Sequence, residues 1–290
     1  MHPFTYVAAK SVDEVTQVLS KHGARARCLA GGSDLLVQLR AGRFELDAVV
    51  DVKTVPQANV VALNGSLRLG SAVPCCVVYE DKKIAAAFPG IIDGASIVGG
   101  IQIQSRAGMG GNLCNSSPSA DTIPGLIVHS TEAVIAGPKG TRTVPVEEFC
   151  TGPGRNVLQR GEFLLELRIP NPGKGFGAAY ERFTPRNEMD IAIAGVGSSL
   201  SLDSRSGKVK SACVALAAVG PIPIVATKAA EFLVGKEPTD ANIARAAELA
   251  RDAAKPITDM RGTIDQRKHL VGVLTRRTLT KALERAKEAR

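Results

Sequence analysis

Leu29-Ala30-Gly31-Gly32-Ser33-Asp34-Leu35-Leu36 is the stretch on which the fold turns. An apolar run ends in two glycines, a serine and an aspartate, and a leucine pair then opens a helical pattern. The segment reads as a buried strand, a tight turn and a helix start. Glycines at such a turn let the backbone approach a ligand closely, and successive N–H groups there can bind phosphate oxygens. Alone, such a segment is more often an ordinary strand-to-helix turn.

The flanks extend the pattern. Ser11 to His22 reads as a helix, with Ser11 at the N-cap, Glu14 three positions on, and Val12, Val15, Val18 and Leu19 on one apolar face. Gly23 ends it. Ala26 to Ala30 and Ala48 to Val52 read as strands, and Leu35 to Arg40 as a helical turn, so the first 54 residues form a small α/β unit. From Val55 the texture changes. Leu67 to Gly70 is a short strand, Asp81 to Ala87 a helix, and Gly94 to Gly111 a glycine-rich run. Val134-Ile135-Ala136 and Thr143-Val144-Pro145 flank Gly137-Pro138-Lys139-Gly140 as a hairpin. Phe163 to Ile169 is a strand closed by Pro170-Asn171-Pro172-Gly173, a natural domain boundary. Beyond it, two antiparallel strands (Ala192 to Leu202, Ser211 to Val219) precede three helices (Ala226 to Val234, Asp240 to Ala254, Gln266 to Ala289), an α+β pattern.

A second chemically informative segment runs Gly108-Met109-Gly110-Gly111-Asn112-Leu113-Cys114-Asn115-Ser116-Ser117-Pro118-Ser119-Ala120-Asp121. It reads as a long polar loop, rich in backbone and hydroxyl donors, with one carboxylate. An Ω-loop is the bland alternative. Neither glycine segment has the G-x-G-x-x-G spacing of a Rossmann site or the Lys-Ser/Thr of a P-loop.

Composition narrows the field. The 290 residues suffice for two domains, and 44% hydrophobic with 22% charged residues describes an ordinary globular chain. The formal charge of +8 permits an anionic partner. Base stacking favours aromatics interleaved with basic residues, yet there is no Trp and only three Tyr. Residues 261–290 hold nine Lys or Arg against three Asp or Glu, read as the solvated face of a terminal helix or a docking surface. The six cysteines form no C-x-x-C pair and the four histidines are scattered, so no metal or iron–sulfur site is expected in this chain. Residues 1–10 lack the make-up of a signal peptide and no run is apolar enough for a membrane helix, which predicts a cytoplasmic protein.

The pair Ala-Gly-Gly-Ser-Asp-Leu-Leu (30–36) and Gly-Gly-Asn-Leu-Cys-Asn-Ser-Ser-Pro-Ser-Ala-Asp (110–121) resembles the two FAD-binding motifs of the medium, flavoprotein subunit of molybdenum hydroxylases. That family includes carbon monoxide dehydrogenase and bacterial xanthine and N-heteroaromatic dehydrogenases. Pro3-Phe4-Thr5-Tyr6, Gly161 to Glu166, Ala179 to Phe183, Asp190-Ile191-Ala192 and Asp259-Met260-Arg261-Gly262 match further blocks, so the likeness spans nearly the whole chain.

The resemblance implies an α+β chain: a two-part FAD domain of the vanillyl-alcohol-oxidase type over 1–173 (parts about 1–54 and 55–173), then a C-terminal α+β domain over 174–290 with a three-stranded antiparallel sheet. It implies FAD in this chain, with molybdopterin and [2Fe–2S] clusters in a large and a small partner subunit, and a heterotrimer or a dimer of heterotrimers. It places Leu29, Ala30, Gly31, Gly32, Ser33, Asp34 and Leu35 around the pyrophosphate. Gly108, Met109, Gly110, Gly111 and Asn112 approach from the other side, and Asp121 bonds a polar part of the cofactor. Val98 touches the FAD, Leu164 offers a backbone contact near the flavin, and Ile191 covers the flavin face. Arg182 stands where relatives commonly carry Lys, and Gly108-Met109 replaces the usual hydroxyl-bearing start of the second motif, removing one side-chain donor. No residue is expected to act as an acid–base catalyst. Two other readings stand beside this one: a self-sufficient FAD oxidase, for which the last third is short, and a basic nucleic-acid-binding or scaffold protein.

Overall fold

A computed structural model describes residues 2–289; Met1 and Arg290, the outermost residues of the two expected domains, lie outside that range. The chain forms three main sheets in sequence order. The first body is β1 (Thr5–Ala8), α1 (Val12–His22), β2 (Ala26–Leu29), α2 (Leu35–Arg40) and β3 (Ala48–Asp51). Its strands are all parallel in the order β1-β3-β2, and the four residues of central β3 are buried. Ser11 caps α1 by accepting the Glu14 N–H at 3.2 Å, and Glu14 accepts the Lys10 N–H at 2.8 Å. Gly23 closes that helix at φ +55°, a conformation glycine adopts without a Cβ penalty.

The second body contains β4 (Val61–Leu63), β5 (Ser66–Gly70), α3 (Cys75–Glu80), α4 (Lys82–Ala87), α5 (Pro89–Ala95), α6 (Ile101–Gln104), α7 (Met109–Asn115) and α8 (Thr122–Val128), then β6 (Glu132–Gly137), β7 (Gly140–Pro145), α9 (Val146–Phe149), β8 (Cys150–Gly152), β9 (Arg155–Asn156) and β10 (Phe163–Pro170). Its antiparallel sheet runs β4-β5-β10-β6-β7, with the last-formed strand in the centre. Leu67, Leu69, Ile135, Leu167 and Ile169 build its core with Phe88, Ile91, Met109, Leu113, Ile123 and Leu126 from the helices. A bulge interrupts the pairing of β10 with β6 between Leu164 and Glu166.

The third body is β11 (Phe176–Phe183), β12 (Ala194–Leu202), β13 (Val209–Ala217), β14 (Ile224–Val225), α10 (Thr227–Leu233), α11 (Asp240–Ala253) and α12 (Ile264–Glu288). The strands form an antiparallel meander in chain order, covered by α12, which lies across β11 and β12. Glycines make the close approaches possible: a Cβ on Gly177 would lie 2.0 Å from the Ala282 carbonyl oxygen of α12. Every residue of α8 is buried, because it packs between the second core and β11–β13.

Two expectations need correction. Gly108 to Asp121 is not a long loop. Met109 and Leu113 stand at i, i+4 spacing and sink into the main core at 1% and 0% exposure, which winds 109–115 into α7. Only the five residues after Ser116, itself left-handed at φ 47°, and before Thr122 remain irregular. The C-terminal sheet has a fourth strand beyond the expected three, the two-residue edge Ile224–Val225 paired to Ala215 and Leu216.

Candidate cofactor site

The two glycine turns, eighty positions apart in the chain, meet. A Cβ on Gly31 would lie 2.0 Å from the Arg106 carbonyl oxygen and 2.9 Å from the Ala107 nitrogen, so the first turn rests on the backbone that leads into the second. Gln38 of α2 also donates to Asn115 of α7 at 3.2 Å. Gly32 sits at φ +76°, which strains any residue with a Cβ. Among the described residues, the N–H groups of Gly31, Gly32, Ser33, Asp34 and Leu35 donate to no backbone or side-chain acceptor, nor do those of Gly108, Met109, Gly110 and Gly111. The turns thus bring two sets of free backbone donors into one region, an arrangement suited to a diphosphate.

The glycines of the second turn divide by cause. Gly108 and Gly110 are small because the protein needs them so: added Cβ atoms would lie 2.4 Å and 2.5 Å from the carbonyl oxygens of Val73 and Ser71. Gly111 is different. It is exposed, helical, and a Cβ there would meet nothing within 4 Å. Among the described residues, no contact demands glycine at this position. The neighbouring Asn112 side chain accepts from the Thr122 hydroxyl at 2.6 Å, which staples α7 to the start of α8.

A cleft of about 630 Å³ opens between the second and third bodies. Asp93, Ser96 and Ile97 line it from α5 and the bend after it, Tyr180 to Phe183 from β11, and Thr184 to Asn187 from the following loop. That loop returns over the bend, since a Cβ on Gly100 would lie 3.2 Å from the Met189 sulfur. The bend holds Val98, partly buried against the main core, beside Gly99 at φ +59°. Ile191 is 47% exposed at the end of the loop. Residues 97–107 therefore run from the cleft to the paired turns, where Arg106 and Ala107 meet Gly31. Leu164 is buried in β10 at the bulge.

Asp121 and Arg182 come together at the edge of the cleft. The Arg182 guanidinium donates to one carboxylate oxygen of Asp121, and the Tyr180 hydroxyl donates to the other at 2.8 Å. Burial pushes the Asp121 carboxyl up, with Arg182 and Tyr180 pulling against it. Burial and the neighbouring Asp121 hold the Tyr180 hydroxyl well above its usual value. The Arg182 charge is thus already balanced within the protein. A second ion pair across the same junction joins Asp93 to Arg285 of α12, at 2.6 Å and 3.0 Å.

Several site neighbours carry no sequence signal of their own. Lys53 donates to the Ala30 carbonyl, Gln104 holds the bend through the Ser96 carbonyl at 2.9 Å, and Tyr180 belongs to the Asp121 cluster. The six cysteines are free thiols, and burial holds Cys28, Cys75 and Cys213 up to about 12. Among the described residues no cluster of His, Cys, Asp or Glu is arranged to hold a metal, and no helix is long and apolar enough to cross a membrane.

Residues 2–172 match the family model described as the FAD binding domain in molybdopterin dehydrogenase, and residues 178–282 match the CO dehydrogenase flavoprotein C-terminal domain. The chain belongs to the FAD-binding flavoprotein subunits of the molybdenum hydroxylases. It is 28% identical over 285 residues to the xanthine dehydrogenase FAD-binding subunit of Escherichia coli O157:H7, covering 97% of each chain. It is 28% identical over 283 residues to the carbon monoxide dehydrogenase medium chain of Hydrogenophaga pseudoflava, covering 97% of this chain and 98% of that one. A solved carbon monoxide dehydrogenase from the same organism, described as lacking the Mo-pyranopterin moiety of its cofactor, superposes with a TM-score of 0.92 over 98% of this chain and 99% of that one. The flavoprotein subunit is accordingly an oxidoreductase component with an FAD-binding domain and an α+β fold.

Proposed function

We propose that this flavoprotein subunit is the electron outlet of a multi-subunit molybdenum hydroxylase. Electrons released at a molybdenum–pterin centre in a large partner subunit pass through the [2Fe–2S] clusters of a small one, reach this chain, and leave to NAD⁺, a quinone or oxygen. The assembly is a heterotrimer or a pair of heterotrimers in the cytoplasm. Bound FAD supplies a centre that exchanges electrons singly or in pairs, which a junction between one-electron carriers and a two-electron acceptor requires.

The meeting of the two glycine turns carries this reading. Within residues 1–173, Leu29 to Leu35 and Gly108 to Asn112 offer backbone N–H groups to the diphosphate from two sides. No Thr or Ser hydroxyl is present at position 108, so backbone donors bear that contact alone. Val98, Leu164, Arg182 and Ile191 would hold the flavin end, with Asp121 fixing Arg182 and bonding the cofactor through its remaining acceptor capacity. Residues 174–290 close the cleft over that end. The chain's part is to bind, orient and shield; no side chain in the cleft is asked to move a proton.

The decisive experiment is cofactor and metal analysis of the complex purified from its native host, with dithionite titration of the flavin. One FAD per copy of this chain, reduced by dithionite and reoxidised by an acceptor, is the expected result. A folded, purified chain that takes up no FAD overturns the reading.

A further inference from the structure

Behind the first glycine turn lies a small polar tripod. The Lys53 ammonium donates to the Ala30 carbonyl at 3.1 Å and to Asp51 Oδ1 at 2.8 Å. Asp51 is nearly buried at the end of β3, where it also accepts the Tyr6 hydroxyl at 2.6 Å and the Lys53 backbone N–H at 2.8 Å. Burial alone would raise the Asp51 carboxyl, yet the Lys53 and Tyr6 bonds outweigh it and hold the carboxyl below its usual range. An ionised Asp51 thus fixes an ammonium group against the first residue of the turn. The Lys53 side chain is 36% exposed.

A trans peptide directs its C=O and N–H in opposite senses. Holding the Ala30 carbonyl from behind therefore aims the Gly31 N–H, the first of the free donors, away from Lys53 and into the space between the turns. Arg106 already fixes Gly31 from its Cα side. With the carbonyl released, the 30–31 peptide keeps only that second restraint. The ammonium also sets a positive side chain against this turn, where α2 opens with neither a basic residue nor a side-chain cap.

We infer that Lys53 is a positioning residue for the cofactor diphosphate, holding the Ala30–Gly31 peptide in its donating orientation and setting a positive charge behind it. The inference rests on the FAD reading above and assigns a role to a residue outside both glycine motifs.

The test uses the full chain, stripped of flavin, with FAD and ADP as probes; both carry the diphosphate, and ADP lacks the flavin. Lys53→Met keeps the aliphatic stem and removes the donor and charge. It is expected to raise the Kd of both probes by about tenfold, the loss of one hydrogen bond to a charged group. Lys53→Arg restores both to within about threefold of wild type; because Lys53→Met also leaves the nearly buried Asp51 without its counter-charge, its apoprotein melting temperature falls, and affinities are read at a temperature where every variant is folded. A merely structural role for Lys53 would lower the melting temperature of Lys53→Met and leave the affinities of its folded protein for FAD and ADP at the wild-type values. The inference is overturned if the Lys53→Met protein binds FAD and ADP as wild type does, if only FAD is affected, or if Lys53→Arg fails to rescue. Wild-type protein that binds neither probe overturns the FAD reading itself.

Discussion

Gly111 separates what the protein needs from what a ligand needs. It is the third residue of α7, exposed, with open space where a Cβ would go. Replacing glycine by alanine in such a helix stabilises by about 0.5–1 kcal/mol, largely by restricting the unfolded chain. For a chain of this size that raises the melting temperature of the apoprotein by roughly 2 °C. Against this stands the cofactor. If the N–H groups of Gly108 to Gly111 bond phosphate oxygens, a methyl group at 111 stands at van der Waals range of the same oxygens and displaces at least one charge-assisted bond. Such a bond contributes about 1.5–3 kcal/mol, so the Kd for FAD rises about ten- to a hundredfold. The assay pairs thermal denaturation of apoprotein with FAD titration by quenching of flavin fluorescence. Gly272→Ala is the control: it lies mid-helix in α12, where a Cβ would meet only the Arg251 side chain at 4.0 Å. That variant should gain stability with FAD affinity unchanged. A G111A protein that is stabilised and binds FAD within about twofold of wild type refutes the placement of the diphosphate between the two turns.

Three further outcomes are expected. Gly31→Ala must move the Arg106 carbonyl by more than an ångström, so FAD affinity falls about a hundredfold or more with a stability loss of a few kcal/mol; equilibrium binding comparable to wild type would contradict the contact between the turns. Asp121→Asn leaves the Arg182 side chain, 7% exposed, without its counter-charge, and urea denaturation should show a loss of about 3–5 kcal/mol; a loss below about 1 kcal/mol would mean that the pair is solvated. Buried between Phe88 and Phe176, the His129 imidazole is held down at about 3 against 6.5 unfolded, chiefly by burial. Between those values the unfolded chain binds the extra proton, so stability falls as pH drops through 6.5. By pH 4.5 the loss is about 3 kcal/mol, which His129→Leu should abolish, and equal pH slopes for the two proteins would exclude this.

Much of this fold is written in local pattern. The Ser11 cap with Glu14 set the start of α1, the parallel strands before and after the first turn are short apolar runs, and Pro138-Lys139 joins the β6–β7 hairpin where the glycines suggested. The Gly108–Asp121 segment misled for a physical reason. Its composition is that of a loop, but Met109 and Leu113 alone, four positions apart, are enough to anchor a helical turn when a deep core awaits them. Periodicity over seven residues cannot reveal a core built from strands sixty positions later. The site was legible where it depends on backbone: glycines announce positive φ and close approach. It was illegible where it depends on long-range pairing. Asp121 finds Tyr180 and Arg182 across some sixty positions, and Lys53 finds the Ala30 carbonyl across 23.

The division of the glycines bears on how the two turns keep their relation. Gly31, Gly108 and Gly110 are each demanded by a neighbouring backbone within the protein, so the turns are locked to one another and to Ser71 and Val73 before any cofactor arrives. The donors are then preorganised, and binding need not bear the cost of ordering them. The cleft is held differently. Its two walls belong to separate cores, joined by the Asp121–Arg182 and Asp93–Arg285 pairs and by α8. Such pairs are weak evidence of added stability, but each partner removes the other's uncompensated charge from the junction. The proposed diphosphate end of the site is thus built by backbone packing between the first and second bodies, and the proposed flavin end by charge pairing between the second and third. Substitutions at the first should change affinity for any nucleotide diphosphate, while those at the second should change the setting of the flavin and leave ADP binding intact.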